Sequence, residues 1–118
     1  MLFLNSCKDE GCNMVLNNVS FRTTLDPQKT SPVNNGGWTY AEGGSCGLIV
    51  SKGENRILAF DRCNINRTGK LIVEGLIVID PESGAKWLLK DGSPIEKAVC
   101  SLHEYRVEIS GNLIVVSN

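Results

Sequence analysis

The feature that most constrains the fold is an apolar run from Leu71 to Ile79, which reads LIVEGLIVI and has a short polar loop on each side. A run this apolar is not expected to be half exposed along its length, and Glu74-Gly75 at its centre is typical of a turn or bulge. The run therefore predicts two short strands, between a first loop at Asp61 to Thr68 and a second loop at Ile79 to Lys86.

Hairpin signals lie on both sides of this run. Leu48 to Ser51 and Ile57 to Asp61 are β-rich and flank a turn at Lys52 to Asn55, while Tyr105 to Ile109 and Leu113 to Val116 flank a second turn. With 12 Gly and no helical periodicity, the sequence predicts a small all-β domain. Further strands are predicted at Asn18 to Thr24 and Lys86 to Leu89.

Composition limits the classes of partner. The chain has 118 residues, enough for one domain with a real core. Hydrophobic residues make up 42% of it, which excludes wholesale disorder. A net charge of -1 implies no steering toward nucleic acid, and no apolar run approaches the ~18 residues of a membrane helix. Nucleic acid is therefore not expected as a partner.

The two loops and the run between them resemble the Rieske iron-sulfur domain. The shared order is a strand, a loop opening on Cys63, a Gly-containing strand, a loop reading Asp80-Pro81-Glu82-Ser83-Gly84, and an aromatic residue, Trp87, three positions later. The resemblance covers roughly Gly43 to Asn118 and implies a small antiparallel β-sandwich with a two-loop tip subdomain. We therefore expect a signal remnant and tether at residues 1–16 and a Rieske-like β domain at residues 17–118.

The resemblance also identifies four cluster-ligand positions. Rieske domains have Cys-x-His in the first loop and Cys-x-x-His-Gly in the second, and these side chains bind a two-iron, two-sulfur cluster. The matching residues here are Cys63, Ile65, Asp80 and Ser83. An alkyl group has no lone pair for iron, a neutral hydroxyl binds iron poorly, and a carboxylate is a hard ligand in place of a soft thiolate. We therefore expect no cluster, no other cofactor, no metal ion and no catalytic residue.

Loops without a cluster need replacement contacts, because metal binding contributes to folding free energy. We expect Ile65 to pack inward, and Asp80 and Ser83 to hydrogen-bond backbone donors of the facing loop. The other polar loop residues are expected to face solvent, namely Asn64, Asn66, Arg67 and Glu82.

An alternative metal site uses Cys100-Ser101-Leu102-His103, which reads Cys-x-x-His. Together with Cys63, its Cys100 and His103 would supply three ligands for a zinc or iron ion. However, the segment continues with strand-like alternation, and residues three apart on a strand face opposite sides. Cys100 and His103 are therefore not expected to meet at one ion.

A hydrolase motif is matched by Gly43-Gly44-Ser45-Cys46-Gly47, which has the form Gly-x-Ser-x-Gly. That motif needs a helix after it, whereas the β-rich Leu48 to Val50 follows here. We interpret the match as a Gly-rich turn entering a strand.

The N-terminus resembles the lipobox of bacterial lipoproteins. Leu4-Asn5-Ser6-Cys7 matches the box, in which Cys7 would be lipidated, and Lys8-Asp9-Glu10 resembles an acidic export tag. A signal peptide needs a basic region and about 7–15 apolar residues, but only Met1 to Leu4 precede the box. We therefore expect the full signal to begin upstream of Met1 and the protein to be an outer-membrane lipoprotein of the cell envelope. The alternative is an N-terminal tail that is not lipidated.

Four cysteines remain once Cys7 is set aside for lipidation. Cys12, Cys46, Cys63 and Cys100 suit two disulfides outside the cytoplasm, and the sequence leaves three connectivities open. A single bridge or none is equally compatible with these residues, because buried free Cys is common.

Three function hypotheses follow. The first is a non-catalytic envelope lipoprotein whose Rieske-like domain binds or assembles with an unidentified protein partner. The second is an electron carrier or oxidoreductase subunit with atypical ligands from Cys63, Asp80, Cys100 and His103. The third, a hydrolase, rests on Gly43 to Gly47 alone. We favour the first, because function depends on the site rather than on the scaffold.

Overall fold

The part of the chain that the structure describes is built from ten short strands. The computed structural model describes residues 20–27, 37–53 and 55–118. The strand pairs in these ranges are antiparallel and the ranges contain no helix, so the predicted all-β fold is confirmed. The strands are β1 (Arg22–Leu25), β2 (Trp38–Ala41), β3 (Leu48–Lys52), β4 (Ile57–Asp61), β5 (Ile72–Glu74), β6 (Ile77–Ile79), β7 (Lys86–Leu88), β8 (Pro94–Glu96), β9 (Arg106–Ser110) and β10 (Leu113–Ser117).

These strands form three sheets, with strand orders β1-β10-β9, β2-β3-β4 and β5-β6-β7-β8. The β2-β3-β4 sheet is the central layer, because it buries side chains on both faces. Leu48 and Val50 of β3 belong to a core shared with β1 and β10, whereas Ile49 belongs to a second core shared with the four-stranded sheet. Burial on both faces explains why β3 is a continuous apolar run without alternation.

The predicted hairpins form. β3 pairs with β4 from Leu48 opposite Asp61 to Lys52 opposite Ile57. The turn between β9 and β10 contains Gly111 at φ 62°, in the left-handed region where the lack of a Cβ atom removes the steric cost. The long apolar run divides at Glu74-Gly75 into β5 and β6, as the sequence predicts.

The first strand is displaced from its predicted position. It was expected at Asn18 to Thr24, and residues 18 and 19 lie outside the described residues. The observed strand is Arg22–Leu25, and it pairs with β10 from Arg22 opposite Ser117 to Leu25 opposite Ile114. The expected tether at residues 1–16 also lies outside the described residues, so the domain boundary stays a prediction.

The prediction of a regular strand through Cys100 to His103 is wrong. This stretch belongs to a segment, residues 97–103, that leaves β8 with Lys97 in the left-handed conformation at φ 57° and makes no ladder of its own. It is held beside β4 by a hydrogen bond from the Asp61 N–H to the His103 carbonyl at 2.9 Å. Strand geometry begins only at Arg106.

No helix in the described ranges is long and apolar enough to cross a membrane.

Candidate functional site

The first loop, which follows β4, is shaped by the buried side chain of Asn64. Its Oδ1 accepts hydrogen bonds from the backbone N–H groups of Thr68 at 2.9 Å and Gly69 at 3.3 Å. Asn side chains commonly satisfy loop backbone groups in this way. Asn64 is only 2% exposed, so the prediction that it faces solvent is wrong. An inward-facing amide was needed to satisfy loop N–H groups that would otherwise be unpaired.

Asp80 shapes the second loop, which connects β6 to β7. Its carboxylate accepts hydrogen bonds from the Glu82 N–H to Oδ1 at 3.0 Å and from the Ser83 hydroxyl to Oδ2 at 2.8 Å. Ser83 Oγ in turn accepts a hydrogen bond from the Ala85 N–H at 3.2 Å. A buried carboxylate is costly unless it is hydrogen-bonded. Asp80 is 2% exposed, and these donors within its own loop meet that requirement.

Side chains join the two loops to each other. The Asn64 amide donates to Asp80 Oδ1 at 3.4 Å, and the Thr68 hydroxyl donates to Glu82 Oε1 at 2.6 Å. The expectation that Asp80 and Ser83 would bond backbone donors of the facing loop is therefore wrong. The backbone donors to these side chains lie in the second loop itself, and the link to the first loop is the Asn64 side chain.

The outward-facing residues of the loops also differ from the prediction. Ile65 is 54% exposed, so the expectation that it packs inward is wrong. The core beneath the loops contains Leu71 and Trp87 instead. Arg67 is half-buried, and its guanidinium lies 3.8 Å from the Asp61 carboxylate. The polar residues that are exposed as predicted are Asn66 and Glu82.

A disulfide bond connects Cys63 to Cys46, with 5.1 Å between their Cα atoms. The hairpin register explains the pairing: Leu48 lies opposite Asp61, and continuing that register by two residues places Cys46 opposite Cys63. Of the cysteine pairings that the sequence left open, this one is observed. Cys100 is also disulfide-bonded, while Cys7 and Cys12 lie outside the described residues.

A cavity of about 300 Å³ lies between the two loops and the segment 97–103. We call it the tip cavity. Its apolar walls include the buried side chains of Leu71, Ala85, Trp87 and Leu102. The four cluster-ligand positions named from the sequence also line it, namely Cys63, Ile65, Asp80 and Ser83. The structure thus brings all four positions together around one space.

The alternative metal site is only partly assembled. Cys100 and His103 both line the tip cavity, contrary to the expectation that they face opposite sides, because residues 97–103 are not a regular strand. Cys63 and Cys100 are both in disulfide bonds, so neither offers a thiolate. Within residues 20–27, 37–53 and 55–118, no group of three or more His, Cys, Asp and Glu is placed to hold a metal ion.

The Gly-x-Ser-x-Gly match lies in a turn closed by a hydrogen bond from the Gly47 N–H to the Gly43 carbonyl at 3.0 Å. Ser45 is exposed in this turn, and the next residue, Cys46, is in the disulfide bond. The chain then enters β3 directly. A strand thus occupies the place where the hydrolase motif needs a helix.

Solved structures with the same architecture include a ferredoxin and the small subunit of a reductase. A chain in the complex of reduced oxygenase and oxidized ferredoxin in carbazole 1,9a-dioxygenase is similar with a TM-score of 0.55 and 16% identity, over 86% of this chain and 94% of that one. The ferredoxin of carbazole 1,9a-dioxygenase from Nocardioides aromaticivorans IC177 is similar with a TM-score of 0.52 and 17% identity, over 84% and 97% of the two chains. The domain has a Rieske-like fold.

A third similar structure supports the same fold for the Rieske-like domain. It is described as the small subunit of an NADH-dependent nitrite reductase from Mycobacterium tuberculosis, and it has a TM-score of 0.52 and 17% identity over 86% of this chain and 97% of that one. No protein-family model and no curated protein matches the chain. At these identities the likeness establishes the fold alone.

The roles of two tip residues were not identified from the sequence. The structural role of Asn64 had a signal, since Asn often bonds nearby backbone groups in loops. Lys97, which lines the tip cavity with its backbone at φ 57°, had none, because it follows β8 in a segment without strand geometry.

Proposed function

We propose that this Rieske-like domain is a cluster-free, non-catalytic binding module of an envelope lipoprotein, and that it contacts a protein partner through its tip. The observation that carries the proposal is the disulfide bond between Cys46 and Cys63. Cys63 is the one cysteine among the four cluster-ligand positions, and a sulfur atom bonded to another sulfur is not the thiolate that iron requires.

The other three positions support the same proposal. Ile65 is an exposed alkyl group, and the Ser83 hydroxyl donates its hydrogen bond to Asp80. A Rieske cluster is held by two thiolates and two imidazoles, and this set of side chains does not fit it. The contacts that a cluster would supply between the loops are supplied here by the Asn64 and Asp80 side chains.

A protein partner is favoured by apolar side chains at the tip. Ile65 is 54% exposed and Val99 is 69% exposed, and both border the tip cavity. Exposed apolar groups beside a cavity are typical of interaction sites. One structural neighbour comes from a complex of an oxygenase with a ferredoxin, which is a precedent for partner binding by a domain of this fold.

The envelope location in the proposal rests on two features. One is the lipobox-like sequence ending at Cys7, with the acidic residues after it. The other is the disulfide bonding of Cys46, Cys63 and Cys100, since disulfides persist mainly in oxidising compartments.

The test is anaerobic iron-sulfur reconstitution of the purified protein, followed by iron analysis and visible absorption. We expect a colourless, iron-free product from the wild type. The Cys46→Ser variant frees the Cys63 thiol but leaves Ile65, Asp80 and Ser83 in place, so we expect it to stay iron-free as well.

An intact Rieske ferredoxin treated in parallel is the positive control, and it should become coloured. Stoichiometric iron in the wild-type protein would overturn the proposal in favour of an electron carrier with atypical ligands.

A further inference from the structure

We propose that the tip cavity binds a small molecule with a compact apolar body and one carboxylate group. The cavity volume of about 300 Å³ lies at the lower end of the range for small-molecule sites. The proposal rests on the cluster-free tip of the proposed function, since the ligand would occupy the space between the two loops, and it is independent of any protein partner.

The walls of the cavity determine the body of the ligand. Leu71, Ala85, Trp87 and Leu102 are each at most 9% exposed and belong to the core that the four-stranded sheet shares with the central layer. They are therefore held rigidly by packing. Apolar walls with few polar groups favour an apolar body, because burying that body removes its surface from water.

The buried carboxylates of the cavity are already satisfied. Asp61 accepts a hydrogen bond from the Cys63 N–H at 3.1 Å and lies near the Arg67 guanidinium. Both carboxylate oxygens of Asp80 accept hydrogen bonds from donors of the two loops. Neither carboxylate therefore needs a cationic ligand.

The exposed cation at the cavity is Lys97, whereas Arg67 is half-buried beside the Asp61 carboxylate. The Lys97 side chain makes no ion pair within the described residues. A Cβ atom placed on Gly84 would lie 3.4 Å from Lys97 Nζ, so the ammonium group lies against the second loop. An ammonium beside an apolar cavity favours a ligand with a carboxylate, which forms a charge-assisted hydrogen bond with it.

Backbone conformation singles out two cationic side chains at the cavity, Lys97 among them. Among the described residues, Arg67 at φ 59° and Lys97 at φ 57° are the non-glycine residues with positive φ, and both line the tip cavity. The left-handed region is unfavourable for a residue with a Cβ atom, and such conformations occur preferentially at ligand sites. Glycine at either position would relieve the steric strain of the left-handed backbone, but it would remove a cation from the cavity.

The test is an NMR titration of the isotope-labelled full chain with three probes that share a ring and differ in charge: benzoate, benzyl alcohol and benzylammonium. We expect benzoate to bind saturably and to shift the amide signals of residues 63–65, 80–85 and 97–103. We expect benzylammonium to leave these signals unchanged and benzyl alcohol to bind more weakly than benzoate.

Two lysine variants separate the ammonium group from net charge. Lys97→Gln should weaken benzoate binding about tenfold, the effect of losing one charged hydrogen bond, and should leave benzyl alcohol binding unchanged. Lys90→Gln removes the same charge from an exposed residue outside the cavity and should bind benzoate as the wild type does.

Equal binding of all three probes, an unaffected Lys97→Gln variant, or no saturable shifts at these residues would each overturn the proposed ligand site. The iron content of the same sample keeps the two proposals apart. An iron-free protein that does not bind benzoate contradicts only the proposed ligand site. A tip that holds iron contradicts the proposed function.

Discussion

The side-chain amide of Asn64 lies 3.4 Å from Oδ1 of Asp80, and both residues are 2% exposed. Each side chain also accepts hydrogen bonds from backbone N–H groups of its own loop. The contact therefore joins two loops that are already ordered internally. Buried polar networks of this kind stabilise a structure only when every member is satisfied, so the loss of one member should be costly.

Asn64→Ala should lower the free energy of unfolding by about 1–3 kcal/mol, because it leaves partly buried N–H groups of the first loop without their acceptor. Urea denaturation measures the change. Asn66→Ala, at an exposed position two residues away, should change stability by no more than ~0.5 kcal/mol. Equal effects of the two variants would contradict the structural role of Asn64.

Ile65→Asp should leave stability within ~0.5 kcal/mol of the wild type, because the side chain is 54% exposed. Leu71→Ala, at a position that is 1% exposed beneath the same loops, should cost about 2–5 kcal/mol through lost burial and a cavity. Thermal unfolding of both variants checks the difference. A large loss in Ile65→Asp would show that this side chain does pack inward.

Replacing Cys46 and Cys63 together by Ala should lower stability by about 3 kcal/mol, the value for a crosslink that closes a loop of this size. The two cysteines are 17 residues apart in the sequence. Denaturation without reductant isolates this crosslink, because Cys100 keeps its own bridge in both proteins. A double variant as stable as the wild type would argue against the Cys46–Cys63 bond.

Two glycines in the left-handed region give a matched pair. Ala at Gly111 meets no atom within 4 Å, so the substitution should cost roughly 1–2 kcal/mol from the backbone alone. A Cβ atom on Gly92 would lie 2.8 Å from Phe60 Cε1, a fully buried ring, which adds about 1–3 kcal/mol of overpacking. Gly92→Ala should therefore unfold at clearly lower urea concentration than Gly111→Ala, and the reverse order would contradict this packing.

We expect the natural gene, expressed in a bacterial host with its upstream sequence, to yield a protein that incorporates labelled palmitate. Cys7→Ala should abolish the label, since the lipobox-like sequence places the lipid on Cys7. Cys12→Ala is the matched control and should keep the label. An unlabelled wild-type protein would contradict the envelope-lipoprotein proposal.

Local sequence patterns were sufficient to predict the hairpins. The turn at Gly111 and the division at Glu74-Gly75 are each marked by a glycine, which short-range rules identify as a turn signal. The apolar residues of β3 reflect the burial of both its faces. The cysteine pairing was left open by the sequence, and the β3–β4 register of the structure explains it by placing Cys46 opposite Cys63.

The loop side chains were not predictable by the same rules. Alternation determines side-chain direction only within a strand, and β4 ends at Asp61. Beyond it, hydrogen bonds to Thr68, Gly69 and Asp80 turn Asn64 inward. These contacts come from residues up to 16 positions away, so the local sequence pattern does not indicate them.

The crosslink between Cys46 and Cys63 encloses the whole β3–β4 hairpin. A protease that cuts the exposed hairpin turn at Asn55 or Arg56 would therefore produce two fragments that remain covalently attached. In an oxidising compartment, such a nicked molecule would keep its tip joined to the rest of the domain until a reductant separated the pieces.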